Sequence, residues 1–176
     1  LYESLALLDG PQLPGEEVDQ EKVFDPQKAF VLQRAIVLRL LGERYYSMDR
    51  KTGYLLLEKS LQLYQELDDG WGTAVCLTHL GHLDWGTGHY VQAREKMESA
   101  LAFFKELGDR RRQLDPLTLL SRIEEHLGNM ETAEALRHEV VDMCRLLGDR
   151  GALIWATANL SYIQLFRGRF TEGLQT

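Results

Sequence analysis

The sequence is poor in cysteine, with only Cys76 and Cys144 among 176 residues. Two distant thiols make neither a disulfide framework nor a cysteine metal site. Both read as small apolar core residues of a reducing compartment. Proline is nearly as rare, at Pro11, Pro14, Pro26 and Pro116. Beyond residue 27 a helical chain therefore meets one proline. No run of about 18 apolar residues occurs, so no helix is expected to cross a membrane. Leu1-Tyr2-Glu3-Ser4 holds no charged leader ahead of an apolar stretch, so no signal peptide is expected and the cytoplasm is the expected location. Basic charge is in the minority. The net charge of −7 argues against a nucleic-acid surface, and the run Arg110-Arg111-Arg112 reads as a solvated inter-helix corner. Catalytic signatures are missing as well. There is no Gly-x-x-x-x-Gly-Lys-Ser/Thr loop, no His-Glu-x-x-His and no Gly-x-Ser-x-Gly. His79 and His82 stand one helical turn apart without a third ligand nearby, so no metal is expected. Adjacent carboxylates such as Asp68-Asp69 and Glu124-Glu125 diverge on a helix and make no acid–base couple. The expectation is a protein that is not an enzyme and takes no cofactor.

What the chain does have is repetition, with a period of about forty residues. Leu67-Asp68-Asp69, Leu107-Gly108-Asp109 and Leu147-Gly148-Asp149 form one column. Leu40, Leu80, Leu120 and Leu160 form a second, and Gly88, Gly128 and Gly168 a third. The small residues Gly53, Ala93, Ala133 and Gly173 form a fourth. Within a unit, Tyr90, Ala93, Met97, Ala100, Phe104 and Leu107 fall on one face of a helix. Gly108 then offers a left-handed stop and Asp109 the next N-cap. The same pattern predicts helices near 28–48, 54–67, 71–86, 90–107, 110–127, 130–147 and 150–167, and another from about Phe170. Connections of two to five residues make successive helices antiparallel neighbours. The expected fold is all-α: a right-handed superhelix, or α-solenoid, of about 3.5 to 4 antiparallel helix pairs. Residues 1–27 read as the tail of an earlier helix and a linker, and residues 28–176 as the repeat array, with joints near 67–70, 107–110 and 147–150. A first residue other than Met and an unfinished last unit point to a fragment of a longer protein.

Two features depart from the pattern. Pro116 sits inside the fifth helix, so either Asp115-Pro116 restarts it after an irregular first turn at 110–114, the favoured arrangement, or the helix kinks there. The column Arg44, Asp84, Glu124 and Gln164, together with Arg137, places polar groups where apolar ones belong. Burying them unpaired would be expensive, so a slight helix rotation that exposes them is expected, with pairing between units, such as Arg44 with Asp84, as the other arrangement.

The segment Leu80-Gly81, Gly88-His89-Tyr90, Ala93, Met97 and Ala100-Leu101 resembles a tetratricopeptide (TPR) unit. The pattern returns at Leu120-Ser121 with Gly128-Asn129-Met130, and at Leu160-Ser161 with Gly168-Arg169-Phe170. A degenerate copy covers Leu40-Leu41, Gly53, Leu57 and Ser60-Leu61. The usual TPR unit is about 34 residues, so this one is long. The Leu107-Gly108-Asp109-Arg110 joint looks like the long-repeat subclass found in sensor arrays of bacterial signal-transduction ATPases and transcription regulators similar to the maltose-regulon activator. It is also similar to arrays in animal cell-polarity adaptors. HEAT-type repeats share the period but do not characteristically place Leu-Gly in the first helix and Gly-x-aromatic at the turn.

The resemblance implies that the first helix of each unit lines a concave groove that takes a protein or peptide. Carried over unit by unit, it points to Leu38, Tyr45 and Tyr46, then Thr78, His82 and Trp85. The following units add Thr118, Arg122 and Glu125, then Trp155, Tyr162 and Leu165. Aromatic residues and Arg among polar groups have the composition of binding hot spots. The same resemblance allows Trp85, Trp155 and Tyr162 to pack between repeats instead. Thr78 and His82 stand where the Lys/Asn carboxylate clamp of chaperone-binding TPR domains begins, so chaperone tails are not the expected ligand. The expected function is a non-catalytic interaction or effector-sensing module of a larger bacterial signalling or transcription-regulatory protein. A self-association arm that forms homo-oligomers, or an accessory part of a peptide-regulated enzyme, is the alternative.

Overall fold

The structure is a computed structural model that describes residues 25–166. Seven helices follow one another there: α1 (Pro26–Tyr45), α2 (Arg50–Glu66), α3 (Gly70–Gly86), α4 (Tyr90–Glu106), α5 (Arg110–His126), α6 (Met130–Leu147) and α7 (Arg150–Phe166). The expected helix tail at Leu1–Leu8, the linker that follows it, Gly168, Gly173 and the helix from Phe170 lie outside the described residues.

Each helix packs on the one before and the one after, and α3 also touches α5. This is an α-solenoid of antiparallel helix pairs. Its core is a chain of small clusters shared between neighbouring helices. Ala93 and Met97 of α4 meet Leu119, Leu120 and Ile123 of α5, and Val140, Val141 and Cys144 of α6 meet Ala156, Leu160 and Ile163 of α7. Both cysteines are free and buried. Burial in apolar surroundings pushes the Cys76 thiol up to about 11, so it stays protonated and inert.

Helix boundaries follow local chemistry. Asp49, Asp69, Asp109 and Asp149 each accept a hydrogen bond from a first-turn amide of the helix that follows. Gly88, Gly108, Gly128 and Gly148 all take positive φ, between 67° and 84°, where the chain leaves a helix. The α2–α3 joint needs the same conformation but has Asp68 there, with φ 53°. Left-handed backbone strains a residue that has a Cβ. Asp68→Gly restores the Leu-Gly-Asp joint of the other repeats. It is expected to stabilise the protein by about 0.5–1 kcal/mol, net of the added unfolded-state entropy, read as the urea midpoint at unchanged m-value.

Three expectations are corrected. First, α5 is continuous from Arg110, and its first turn is regular although Pro116 lies inside it. Asp109 Oδ1 accepts from the Arg112 amide at 3.0 Å, and the Gln113 side chain donates to the Phe104 carbonyl at 3.2 Å. These bonds anchor the turn across the joint, and the Pro116 ring is fully buried as packing surface. Second, only Arg44 of the polar column is exposed, and the other members are not turned outward. Asp84, Glu124, Gln164 and Arg137 are each 5–6% exposed. Asp84 pairs with Lys96 at 2.6 Å, not with Arg44. Glu124 accepts from Asn129 at 2.6 Å and faces Arg94 at 3.7 Å. Arg137 pairs with Glu125 and donates to the Asn159 carbonyl at 3.0 Å. Neighbouring helices supply partners, and this removes the penalty that argued for exposure.

Third, the first repeat is out of step. Leu40 is half exposed, whereas Leu80, Leu120 and Leu160 are buried. The cause is one extra residue in the α1–α2 turn, which spans Tyr46 to Asp49, whereas Thr87 to His89 suffices between α3 and α4. Gly42 is the true counterpart of Gly81. A Cβ on Gly42 would press on Leu57 and the Gly53 carbonyl, and one on Gly81 would press on Met97 and the Ala93 carbonyl. Along α1 the repeat distance is therefore 39 residues, and along α2 it is 40.

Candidate functional site

The odd-numbered helices form one wall of the solenoid, and the polar side chains on it meet across helix boundaries. Arg39 and Glu43 of α1 form an ion pair, and Glu43 Oε1 lies 3.0 Å from His79 Nε2 of α3. One turn further, His82 Nε2 lies 2.9 Å from Asp115 Oδ1 of α5. Burial holds His79 below the ordinary histidine range, against the pull of Glu43, so at neutral pH its ring is uncharged. Burial alone would raise the Asp115 carboxyl, but the hydrogen bond and charge of His82 outweigh it and hold Asp115 below its usual value. Trp71 completes this end. Its half-exposed ring lies 5.2 Å from the Arg112 guanidinium and 6.0 Å from that of Arg39.

Two clefts open along the wall. One, of about 110 Å³, lies between Val75, Thr78 and His79 of α3 and Arg111, Arg112 and Asp115 of α5, with Phe104 at its base. A second, of about 250 Å³, lies between Leu114, Asp115 and Thr118 of α5 and Ala152 and Trp155 of α7. Trp155 stands at its lip, 51% exposed. The wall is also more basic than the chain. Lys and Arg outnumber Asp and Glu on α1, α5 and α7, and α6 on the other layer is acidic.

The residues anticipated from the sequence divide into three groups. His82, Arg122 and Trp155 stand on the wall with accessible surface. Thr78, Trp85 and Glu125 are held by neighbours. The Thr78 hydroxyl donates to the Ala74 carbonyl at 2.9 Å. Trp85 packs on the cluster around Met97 and Ile123, under the Arg122 guanidinium at 4.0 Å. Glu125 is spent on Arg137. The first-repeat pair and Tyr162 make the third group. Tyr46 packs on Leu57, Leu80 and Leu83, so it is the counterpart of Trp85, while Tyr45 and Tyr162 are 38% and 58% exposed away from both clefts. Leu38, Thr118 and Leu165 are half-buried.

Sequence reasoning missed Arg39, Glu43, Trp71, His79, Arg112 and Asp115. For Arg39 and Glu43 the signal was there. Shifting the first repeat by one residue aligns them with Thr78 and His82. Arg112 was hidden inside a basic run that looked like solvent-facing charge, and nothing in the sequence alone announced that Trp71 lies beneath it.

Among the described residues, no cluster of three or more His, Cys, Asp and Glu side chains could hold a metal ion. No helix there is long and apolar enough to cross a membrane. No protein-family model matches the chain, and no curated protein sequence matches it. Solved structures do. Two crystal structures of Podosopora anserina kinesin light chain proteins with nearly identical TPR-like repeats, one of them a single-substitution variant, superpose with a TM-score of 0.69. Each is 16% identical and matches 82% of this chain and 71–72% of its own. At that identity the likeness speaks of fold alone: the chain folds as TPR-like repeats.

Proposed function

We propose that this chain is a non-catalytic module that binds a protein or peptide along the wall of odd-numbered helices. The observation that carries the reading is the 250 Å³ cleft with Trp155 half exposed at its lip, beside Thr118 and Asp115 and one helix away from the Arg-flanked Trp71. Accessible aromatic rings and guanidinium groups on a packed helical scaffold offer large contact area at small entropic cost. His82, Arg122 and Trp155 are the proposed contacts, joined by Trp71, His79 and Arg112. Tyr45 and Tyr162 would extend the same surface towards the ends of the array. The finer placement, in a larger bacterial signalling or transcription-regulatory protein of cytoplasmic location, rests on the Leu-Gly-Asp-Arg joint.

A peptide-display selection against the chain tests this. Selected peptides are expected to lose at least about tenfold in affinity on Trp155→Ala and on Arg112→Ala, the scale of one interface hot spot. They should ignore Glu98→Ala on the opposite layer. Peptides indifferent to both wall substitutions would overturn the reading.

One observation favours self-association as a second reading. α1 exposes Phe30 and Val37 at 68% and 54%, and the turn after it exposes Met48 at 75%. Light scattering that shows a dimer, dissolved by Phe30→Asp but not by Trp155→Ala, would favour it. Trp85→Ala is a poor discriminator, because that ring is internal packing.

A further inference from the structure

The seams between successive repeats are built alike, and one of them is open. At the later seam, Tyr90 at the start of α4 stacks on His126 at the end of α5, with ring centroids 4.8 Å apart and planes 6° apart. Tyr90 and Leu127 pack on the core cluster that contains Ile123. One repeat earlier these four positions hold Arg50, Gly86, Thr87 and Leu83. Neither ring is present. Arg50 reaches across instead and donates to the Gly86 carbonyl at 3.1 Å. What results is a cleft of about 570 Å³ at the turn edge, whose lining includes Arg50, Lys51 and Tyr54 of α2, Leu83 and the Asp84 carboxylate of α3, and Gln92 of α4. That volume is in the range of small-molecule sites, about 300–1,000 Å³.

Its chemistry is polarised. Leu83 and the Tyr54 ring give it apolar surface, and Arg50 and Lys51 stand together on one side. Neither cation is paired with a carboxylate among the described residues. The two nearby acids are already engaged. Asp84 is neutralised by Lys96 at 2.6 Å, and Asp49 accepts from the Lys51 and Thr52 amides as the α2 cap.

We propose that this cleft binds an aromatic carboxylate. The ring takes the position that the His126 ring holds one repeat on, and stacks against the Arg50 guanidinium as His126 stacks on Tyr90. The carboxylate lies against Lys51 and Arg50, where it gains charge-assisted hydrogen bonds. The cleft belongs to α2, the last turn of α3 and the start of α4. It shares no lining residue with the clefts on the odd-helix wall, so this site and the partner-binding reading stand or fall separately.

N-acetyl-L-tryptophan is the probe, titrated into the full chain by calorimetry and followed by amide NMR shifts. A dissociation constant on the order of 0.1–1 mM is expected for a ligand of this size, with shifts concentrated at Thr87, Gly88, His89 and Gln92. N-acetyl-L-tryptophanamide, which lacks the charge, should bind at least about fivefold more weakly, and Lys51→Gln should weaken the acid about threefold to tenfold. Gly86→His supplies the missing ring from within. Its Cβ would meet only the flexible Arg50 guanidinium, at 3.8 Å and beyond, so the fold should hold while binding disappears. A peptide ending in a Trp carboxylate separates the two sources of this chemistry. Tighter binding than the free acid assigns the cleft to a protein C-terminus, and equal or weaker binding assigns it to a small organic acid. Equal binding of acid and amide, or undiminished binding by a folded Gly86→His variant, would overturn the proposal. Should Gly86→His unfold, the acid–amide ratio and Lys51→Gln decide the matter alone.

Discussion

Replacing Gly72 with alanine, a change of one methyl group, is expected to destabilise the protein by about 3 kcal/mol or more. Gly72 lies in the first turn of α3, where alanine would ordinarily help a helix. A Cβ there would stand 2.2, 2.3 and 2.5 Å from three ring carbons of Tyr64. That ring is 1% exposed and packed with Ala35 and Cys76. Its hydroxyl is tied to Arg39, which is itself paired with Glu43. The ring has nowhere to go without moving α1 or α2. Gly70, two residues earlier, is the control. A Cβ on it would meet Phe103 at 3.5 Å, an ordinary contact, so Gly70→Ala should be neutral or stabilising by up to about 1 kcal/mol. Thermal unfolding should separate the two by about 6 °C or more, given about 2–4 °C per kcal/mol for chains of this length. Equal melting temperatures for both variants would show that Tyr64 does not seat on the Gly72 backbone.

Arg137→Met is expected to cost about 2–3 kcal/mol, although it swaps one long side chain for another of similar reach. The guanidinium is 6% exposed, paired with Glu125 of α5 and donating to the Asn159 carbonyl of α7. Deleting one member of a buried pair leaves the other charge without compensation, a loss of about 3–5 kcal/mol when both are fully buried. The Glu125 side chain retains 27% exposure and can recover some hydration, which places the expected cost at the low end. Were Arg137 a surface residue, as its charge first suggested, the change would fall within about ±0.5 kcal/mol. The double variant Arg137→Met with Glu125→Met should recover part of the loss, because it removes both charges together. Urea unfolding of the four proteins in that cycle measures the coupling directly. A single-variant effect below about 0.5 kcal/mol would remove this three-helix tie from the description of the fold.

The same position shows where sequence reading stops. Asp84, Glu124 and Arg137 announce themselves as polar residues in apolar columns, but whether such a column faces water or a partner depends on the next helix along. Lys96 lies twelve residues after Asp84, Arg94 thirty before Glu124, and Glu125 twelve before Arg137. Twelve residues separate two of these pairs, but the acid stands in a different column in each, and Glu124 pairs across thirty, so periodicity alone does not show the pairing. The candidate wall was half legible for a related reason. His82 and Arg122 follow from the forty-residue period, Trp155 stands outside it, and Arg39 and Glu43 were displaced by one residue in the Tyr46–Asp49 turn. Trp85, in the last turn of α3, is roofed by Arg122, whereas Trp155, near the start of α7, is open.

Residue order alone settles what short-range physics controls. Apolar spacing of three and four sets the helices, aspartate caps and left-handed glycines set their ends, and short turns force antiparallel packing, so seven helix positions and the solenoid architecture could be read directly. Packing in three dimensions settles whatever depends on what stands across a helix interface: which charges are buried, which aromatic rings are free, and which repeat seam stays open. Those outcomes turn on the volume and charge of a neighbour many residues away, and a repeat pattern records the position of that neighbour without recording its size.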